Sequence, residues 1–322
     1  MSHPKLLGDI GGTNVRLALQ LAPDAPISHV ETLPLAEHAG PLEAITAYLQ
    51  RHGAWEGPLR PLTGCLGMAC PVLGDAIQMI NAPWAFSTEA LRRALGLTSL
   101  RILNDFTALA LALPALPADQ LEQVGGDSPQ PGMAKALLGA GTGLGVSGLI
   151  PGQTPDGEVV WVPIAGEGGH VSLPACTDDE VRVIDALRAR FGHVSAERVL
   201  SGSGLVLLYE THARLAGVVP ERLTPAEVTD RARGGHCPWC QAALDSFCCF
   251  MGTVAANLAV TLGAQGGLYI GGGVVPRLGA SFAASGFRAR FNDKGRYTAY
   301  LSAIPVYVIH APYPALIGAS RA

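Results

Sequence analysis

The most regular pattern of apolar and polar residues lies near the start of the chain. Val15, Leu17 and Leu19 alternate with polar or small residues after a turn at residues 11–12. Such alternation is typical of a strand whose two faces differ. Residues 6–19 therefore predict two short strands joined by a glycine-rich turn.

Two later stretches repeat the order of strand and glycine turn. Residues 134–138 and 146–150 predict strands around a turn at 139–145, and 267–270 predict a strand that runs into a third glycine turn. Apolar residues three and four apart predict helices in other segments. These helices begin near residues 41, 87, 106, 177, 195, 201, 224, 237 and 314, and further strands cover 64–70, 76–80, 100–103 and 304–309. Strands alternating with helices indicate an α/β protein.

The clearest shift in composition covers residues 114–131, which are rich in Pro, Asp, Gln and Gly. A length of 322 residues is typical of two domains. We expect a smaller α/β domain of residues 1–113 plus 305–322, and a larger α+β domain of residues 114–304.

Composition and charge exclude several classes of protein. The chain is 48% hydrophobic and 15% charged, enough apolar material for large cores. The net charge is −4 without a basic block, so we expect no nucleic-acid partner. Polar residues, Gly or Pro interrupt the long apolar stretches, so we expect no membrane span. The first five residues lead straight into a strand, so we expect no secretion signal and a cytoplasmic location.

Seven cysteines occur, at positions 65, 70, 176, 237, 240, 248 and 249. An odd number in a long chain argues against a disulfide framework. Cys237 and Cys240 have the spacing of a redox dithiol or half a zinc site, but no second pair of this spacing follows. We interpret them as residues at the start of a long helix.

The first glycine turn has the composition of an anion site. Gly11 and Gly12 let a ligand approach the main chain, and successive N–H groups there can cradle a phosphate. A bare carboxylate at Asp9 would repel phosphate unless a divalent cation stood between them. The alternative is that Asp9 only caps its own turn.

Other candidate residues lie at the ends of predicted elements. Asn104 and Asp105 follow a strand and precede a helix, a junction where open α/β sheets bind ligands. Asp105 could serve as a general base or only as a helix N-cap. Glu197 could bind a ligand or only the helix dipole, and His170 in a glycine-rich loop could be a ligand or only a hydrogen-bonding residue.

Two common nucleotide motifs are absent from the sequence. None of the glycine turns carries the lysine of a P-loop. Gly141, Gly143 and Gly145 have the wrong spacing for a dinucleotide fingerprint and precede a strand instead of a helix.

Five blocks in order resemble the bacterial glucokinase family, a branch of the sugar kinase, actin and heat-shock chaperone superfamily. They are residues 8–14 (GDIGGTN), 103–106 (LNDF), 141–145 (GTGLG), 166–170 (GEGGH) and 197–202 (ERVLSG). The resemblance covers essentially the whole chain. It implies the two-domain actin-like ATPase (ribonuclease H-like) sugar kinase fold, with the active site in the interdomain cleft. The chain lacks the Cys/His zinc cluster of the related repressor and kinase family.

The resemblance also implies substrates and site residues. The reaction would be ATP-dependent phosphorylation of the 6-hydroxyl of glucose with Mg²⁺, feeding glycolysis, and we expect a homodimer. Asp105 matches the general base, and the sugar ligands would be Asn104, Asp105, Glu167, His170 and Glu197. The residues that match the nucleotide loops are Gly8, Asp9, Ile10, Gly11, Gly12, Thr13, Gly141, Thr142, Gly143, Gly271, Gly272 and Gly273. Asp9 would hold Mg²⁺ through water or phosphate.

Three other functions are alternatives to this one. A kinase for another hexose or an N-acetylated sugar would keep the nucleotide loops and change the sugar contacts. A sugar sensor without enzymatic activity would lack a usable base, yet Asp105 is present. A filament or chaperone ATPase would need large extra subdomains, for which the chain has no length.

Overall fold

The computed structural model describes residues 3–80 and 82–322, and the chain divides into two compact units. The first comprises the chain up to Pro117 together with Trp161–Ala165 and Ala311–Ala322. The second comprises Ala118–Val160 and Gly166–His310.

The first unit contains the initial predicted hairpin and the helices that cover its sheet. In chain order its elements up to Pro117 are β1 (Lys5–Ile10), β2 (Asn14–Gln20), β3 (Ile27–Pro34), α1 (Pro41–Arg51), β4 (Thr63–Met68), β5 (Ala76–Gln78), β6 (Ala85–Ser87), α2 (Thr88–Leu95), β7 (Ser99–Asn104) and α3 (Asp105–Ala112).

The main sheet of this unit has the order β3-β2-β1-β4-β7. Strands β1, β4 and β7 are parallel, and β2 is antiparallel to both β1 and β3. Asp9, Gly67 and Leu103 are aligned across the parallel strands, so Asp105 follows at the carboxyl edge. Both faces are covered, because Leu6 and Leu7 point into different apolar clusters.

The second unit is larger and contains the other two predicted glycine turns. Its elements are β8 (Leu121–Gln123), β9 (Lys135–Ala140), β10 (Leu144–Gln153), β11 (Val159–Pro163), α4 (Asp178–Phe191), α5 (Ala196–Val199), α6 (Gly202–Leu215), α7 (Pro225–Arg233), α8 (Pro238–Leu262), β12 (Leu268–Gly271), α9 (Val274–Leu278), α10 (Ala280–Ala283), α11 (Phe287–Asn292), α12 (Thr298–Ala303) and β13 (Val306–Ile309). The last three residues of β11 are grouped with the first unit.

The sheet of the second unit has the order β11-β10-β9-β12-β13-β8. Strands β9, β12 and β13 are parallel, and β10 returns antiparallel to β9. Helix α8 supplies the centre of the core, where Phe247, Phe250 and Met251 are fully buried.

Helix α8 departs from one expectation. Its 25 residues, with a mean hydropathy of 1.5 over the most apolar window, are long and apolar enough to cross a membrane. Among the described residues it is the one helix with this property. However, 67% of that window is buried inside the protein, as in the core helix of a soluble protein. Its apolar character is therefore explained by packing.

The chain ends with α13 (Pro314–Arg321), which packs on α3 in the first unit. The packing is close at Gly318, because a Cβ there would overlap the carbonyl oxygen of Ala108. Leu316 and Ala319 also contact the sheet through the cluster that contains Leu7.

Most of the predicted helices and strands are confirmed, and the elements not predicted are edge strands and short helices. Strands β3, β6, β8 and β11 and the short helices α9 to α12 were not predicted from the sequence. Residues 305–310 were expected in the first domain, whereas the second unit extends to His310. The reason is that β13 pairs in parallel with β12 and lies inside the second sheet.

Candidate active site

The first glycine turn joins β1 to β2 in the first unit. The Gly11 N–H donates to the Asn14 carbonyl oxygen at 3.0 Å and closes the hairpin. The Thr13 carbonyl accepts from the Leu35 N–H at 2.9 Å, which fixes the turn from its other side. A Cβ on Gly8 would lie 2.5 Å from a methyl group of Leu66, so the start of this segment has no room for a side chain.

Asp9 lies two residues before the turn and has a charged partner. Its Oδ2 is 3.0 Å from Nη1 of Arg16, the residue opposite it on β2, and the carboxylate side chain is 16% exposed. Burial raises the pKa of Asp9, and Arg16 opposes that shift. Because Arg16 offsets the charge of Asp9, a cation is not the only group that could make this carboxylate acceptable beside a phosphate.

Asn104 and Asp105 lie where β7 passes directly into α3. The N-cap is Asn104, whose Oδ1 accepts from the N–H groups of Phe106 and Thr107 at 3.0 and 3.2 Å. The interpretation of Asp105 as an N-cap is wrong, since Asp105 is the first residue of the helix. Its Oδ1 accepts from the Phe106 N–H at 2.9 Å, so the carboxylate lies at the positive end of the helix dipole.

Gly67 allows this junction to approach the neighbouring strand. A Cβ on Gly67 would lie 3.2 Å from Cβ of Ala108 and 3.6 Å from Cα of Asp105. The first unit therefore brings Asp9, residues 11–13 and Asp105 to the same edge of one sheet.

The second glycine turn joins β9 to β10 in the second unit. Within it the Gly141 N–H donates to the Gly143 carbonyl oxygen at 2.8 Å. The Gly202 N–H, at the start of α6, donates to the Gly141 carbonyl oxygen at 2.9 Å. Oε2 of Glu197 accepts from the Leu144 N–H at 3.0 Å. The turn is thus attached to α5 and α6 at both of its ends.

The loop that carries Glu167 and His170 lies against β10. A Cβ on Gly169 would overlap the Leu144 carbonyl oxygen, and one on Gly168 would lie 2.7 Å from a methyl group of Val146. These glycines let the loop sit directly on the strand that follows the second turn. Glu167 and His170 are exposed.

The third glycine turn follows β12. Gly272 has a φ of +75°, and a Cβ there would lie 2.4 Å from the Ala140 carbonyl oxygen. A Cβ on Gly139 would in turn lie 2.4 Å from the carbonyl carbon of Gly271. Only glycines permit this approach, so residues 271–273 and the second turn are direct neighbours. The second unit thereby gathers the second turn, the third turn, Glu197 and the loop at 166–170.

Two arginines beside these turns were not among the predicted site residues. Arg16 contacts Asp9, as described above. Nη2 of Arg277 lies 4.0 Å from the position of a Cβ on Gly273, at the third turn. The signals were the strand alternation that places Arg16 opposite Asp9 and the short helix after Gly273.

The described part of the chain contains no cluster of metal ligands. In residues 3–80 and 82–322, no group of three or more His, Cys, Asp or Glu side chains could hold an ion. Sγ of Cys237 accepts from the Cys240 N–H at 3.4 Å, so this cysteine is the N-cap of α8. Burial raises the pKa of Cys240 to about 12, which keeps it a thiol.

Comparison with known proteins identifies the family. The family model described as Glucokinase matches residues 6–322. This chain belongs to the glucokinase family.

Curated glucokinases are similar to the chain over its whole length. The glucokinase of Aromatoleum aromaticum is 50% identical over 321 residues, covering 100% of this chain and 95% of the relative. That of Neisseria gonorrhoeae is 48% identical over 324 residues, covering 99% and 94%.

Solved glucokinase structures share the α/β architecture. A glucokinase from an Antarctic psychrotroph has a TM-score of 0.88 at 34% identity, covering 100% of this chain and 98% of that one. A glucokinase from Balamuthia mandrillaris, solved in complex with glucose, has a TM-score of 0.81 at 21% identity, covering 99% and 92%. The ROK family glucokinase from Streptomyces griseus, in complex with glucose and AMPPNP, has a TM-score of 0.64 at 19% identity, covering 98% of both chains. The last two likenesses concern the fold alone.

Proposed function

We propose that this protein transfers the γ-phosphoryl group of ATP to the 6-hydroxyl of glucose, giving glucose 6-phosphate and ADP. Membership of the glucokinase family supports this activity. The position of Asp105 supports this proposal most directly. Asp105 lies at the carboxyl edge of the first sheet, where β1 also enters its glycine turn. A proton acceptor and a phosphate-binding turn on one rigid sheet suit the transfer of a phosphoryl group to an alcohol.

Asp105 would act as the general base. The hydroxyl oxygen of the sugar forms a bond to the γ-phosphorus, and the bond from that phosphorus to ADP breaks. The hydroxyl proton passes to the carboxylate of Asp105. Because the transition state is loose and the proton leaves late, a carboxylate is a sufficient base. The first turn of α3 orients this carboxylate through the Phe106 N–H.

Besides Asp105, four other residues would bind the sugar, namely Asn104, Glu167, His170 and Glu197. Carboxylates suit a polyol because each accepts strong hydrogen bonds from two hydroxyl groups. The side chain of Asn104 also caps α3, so its contribution to sugar binding competes with that structural role. These residues are divided between the two units, since Asn104 belongs to the first and Glu167, His170 and Glu197 belong to the second.

The nucleotide would lie on the three glycine turns, at residues 8–13, 141–143 and 271–273. A single carboxylate beside a phosphate turn fits Mg²⁺, which usually binds one or two carboxylates together with substrate phosphates. Asp9 would hold the ion through water or phosphate, while Arg16 keeps one carboxylate oxygen oriented. When bound, Mg²⁺ neutralises charge on the β- and γ-phosphates.

A coupled assay of ADP release tests the proposal. Purified protein with ATP and Mg²⁺ is offered glucose, other hexoses and N-acetylated hexosamines. Glucose should give the highest kcat/KM. Faster turnover of an N-acetylated sugar would favour the alternative kinase, and sugar binding without ADP release would favour a sensor. A homodimer and a cytoplasmic location belong to the same proposal, and light scattering measures the first.

A further inference from the structure

Glu197 contacts the second glycine turn as well as the proposed sugar site. In the proposed function its carboxylate binds a sugar hydroxyl, yet its Oε2 already accepts a hydrogen bond from the Leu144 N–H at 3.0 Å. A Cβ on Gly143 would lie 2.4 Å from that same oxygen. The carboxylate therefore rests directly on the second glycine turn.

The segment around Glu197 holds the turn at two points. Glu197 binds its second half, and the Gly202 N–H binds the Gly141 carbonyl oxygen at 2.9 Å. Only four residues of chain, 198–201, separate Glu197 from Gly202, and Glu197 itself lies in α5. A displacement of the Glu197 carboxylate would thus be transmitted to the turn at residues 141–143.

We propose that Glu197 couples the sugar site to the nucleotide site. One carboxylate oxygen positions the second phosphate turn, and the same carboxylate binds sugar hydroxyls. A sugar that fixes the carboxylate would order the turn before nucleotide arrives, so each ligand strengthens the binding of the other. This inference rests on the proposed function, because it takes Glu197 as a sugar ligand.

Two substitutions of Glu197 separate its two roles. Glu197→Gln keeps a carbonyl oxygen that accepts from the Leu144 N–H but removes the charge that favours sugar hydroxyls. Glu197→Ala removes both contacts. Calorimetry with the non-hydrolysable analogue AMPPNP, without sugar, should show affinity near wild type for Glu197→Gln. Glu197→Ala should bind AMPPNP about tenfold more weakly, the effect of losing one charge-assisted hydrogen bond.

Glu167→Ala is the matched control. Glu167 is also a proposed sugar ligand, but in the part of the chain that the structure describes no side-chain hydrogen bond joins it to the second turn. This variant should lose glucose affinity and keep wild-type affinity for AMPPNP. Glucose should strengthen AMPPNP binding in the wild type and lose that effect in Glu197→Ala.

Gly143→Ala tests the contact between Glu197 and the second turn by changing the turn instead of the carboxylate. Its methyl group would displace the Glu197 carboxylate, so glucose should bind about tenfold more weakly even without nucleotide. Thermal melting verifies that each variant is folded. If Glu197→Ala is unfolded, Gly143→Ala and Glu197→Gln decide the question.

Three results would overturn the coupling. They are wild-type AMPPNP affinity in folded Glu197→Ala, wild-type glucose affinity in folded Gly143→Ala, and equal AMPPNP affinity of the wild type with and without glucose. Any of these, with glucose phosphorylation intact in the wild type, leaves the proposed function standing. Failure of the wild type to bind or phosphorylate glucose would instead remove the proposed function, and the coupling with it.

Discussion

Asp9 and Arg16 form an ion pair across the first hairpin, with Oδ2 and Nη1 3.0 Å apart. They are direct neighbours on the antiparallel strands β1 and β2. The pair lies beside the proposed phosphate turn, where an unpaired carboxylate would repel the ligand. Even so, burial outweighs Arg16 and raises the pKa of Asp9. The charged form of Asp9 therefore costs stability in the free protein.

Replacing Asp9 should stabilise the free protein while weakening its activity. Asp9→Asn removes a buried charge, so the melting temperature at pH 7 should rise by up to about 2 °C. Turnover should fall, because the proposed Mg²⁺ site loses its carboxylate. Scanning calorimetry and the ADP assay measure the two effects. Asp24→Asn, in an exposed loop, is the control and should change neither.

The stabilisation should depend on pH in a defined direction. Because the folded pKa of Asp9 is raised, its contribution to stability is full below the unfolded value of 3.8 and is lost as pH rises through the folded value. Asp9→Asn has no such loss. The melting temperature of the variant minus that of the wild type should therefore increase from pH 4 to pH 7. A constant difference would contradict the raised pKa.

Asp105→Asn should separate binding from chemistry. The substitution preserves size and most hydrogen bonding, so the affinity for glucose alone should stay near wild type. Turnover should fall about 10²-fold or more, the usual scale for loss of a general base. Calorimetry with glucose and steady-state rates measure the two quantities. Normal turnover would remove Asp105 from the mechanism.

Gly318→Ala should destabilise the first unit by disturbing the packing of α13 on α3. Its methyl group has no space against the Ala108 carbonyl oxygen, so α13 must move away from α3, which carries Asp105. Overpacking of this kind costs about 1–3 kcal/mol, and the free energy of unfolding in urea measures it. Gly166→Ala, where a Cβ would meet nothing within 4 Å, is the matched control. Equal stability of both variants would show that the contact is easily relieved.

The two helix-start cysteines should respond differently to serine. Cys237→Ser places a stronger N-cap on α8, so the melting temperature should stay level or rise slightly. Cys240 is fully buried, so Cys240→Ser places a hydroxyl in the core and should lower the melting temperature. Activity should change little in either variant. Stoichiometric zinc in the wild-type protein, lost in the double variant, would refute this interpretation.

Short-range signals were enough to predict much of the fold. Capping boxes at Thr177 and Thr224 mark the starts of α4 and α7, and Ser87 caps α2, so all three helices begin where the sequence predicted. Edge strands were missed, because β3 is half exposed and its side chains follow no clean alternation. The functional status of the predicted site residues remains a proposal, although the structure gathers them into one group in each unit.

The sequence by itself determined the features that depend on neighbours a few residues away. These are the glycine turns, the helix caps and the apolar length of α8. The tertiary structure alone decided that β13 belongs to the second sheet. It also decided that Glu197 binds Leu144, 53 residues earlier. The physical reason is that turns and caps are fixed by local backbone geometry, whereas such pairings depend on how whole strands and helices pack.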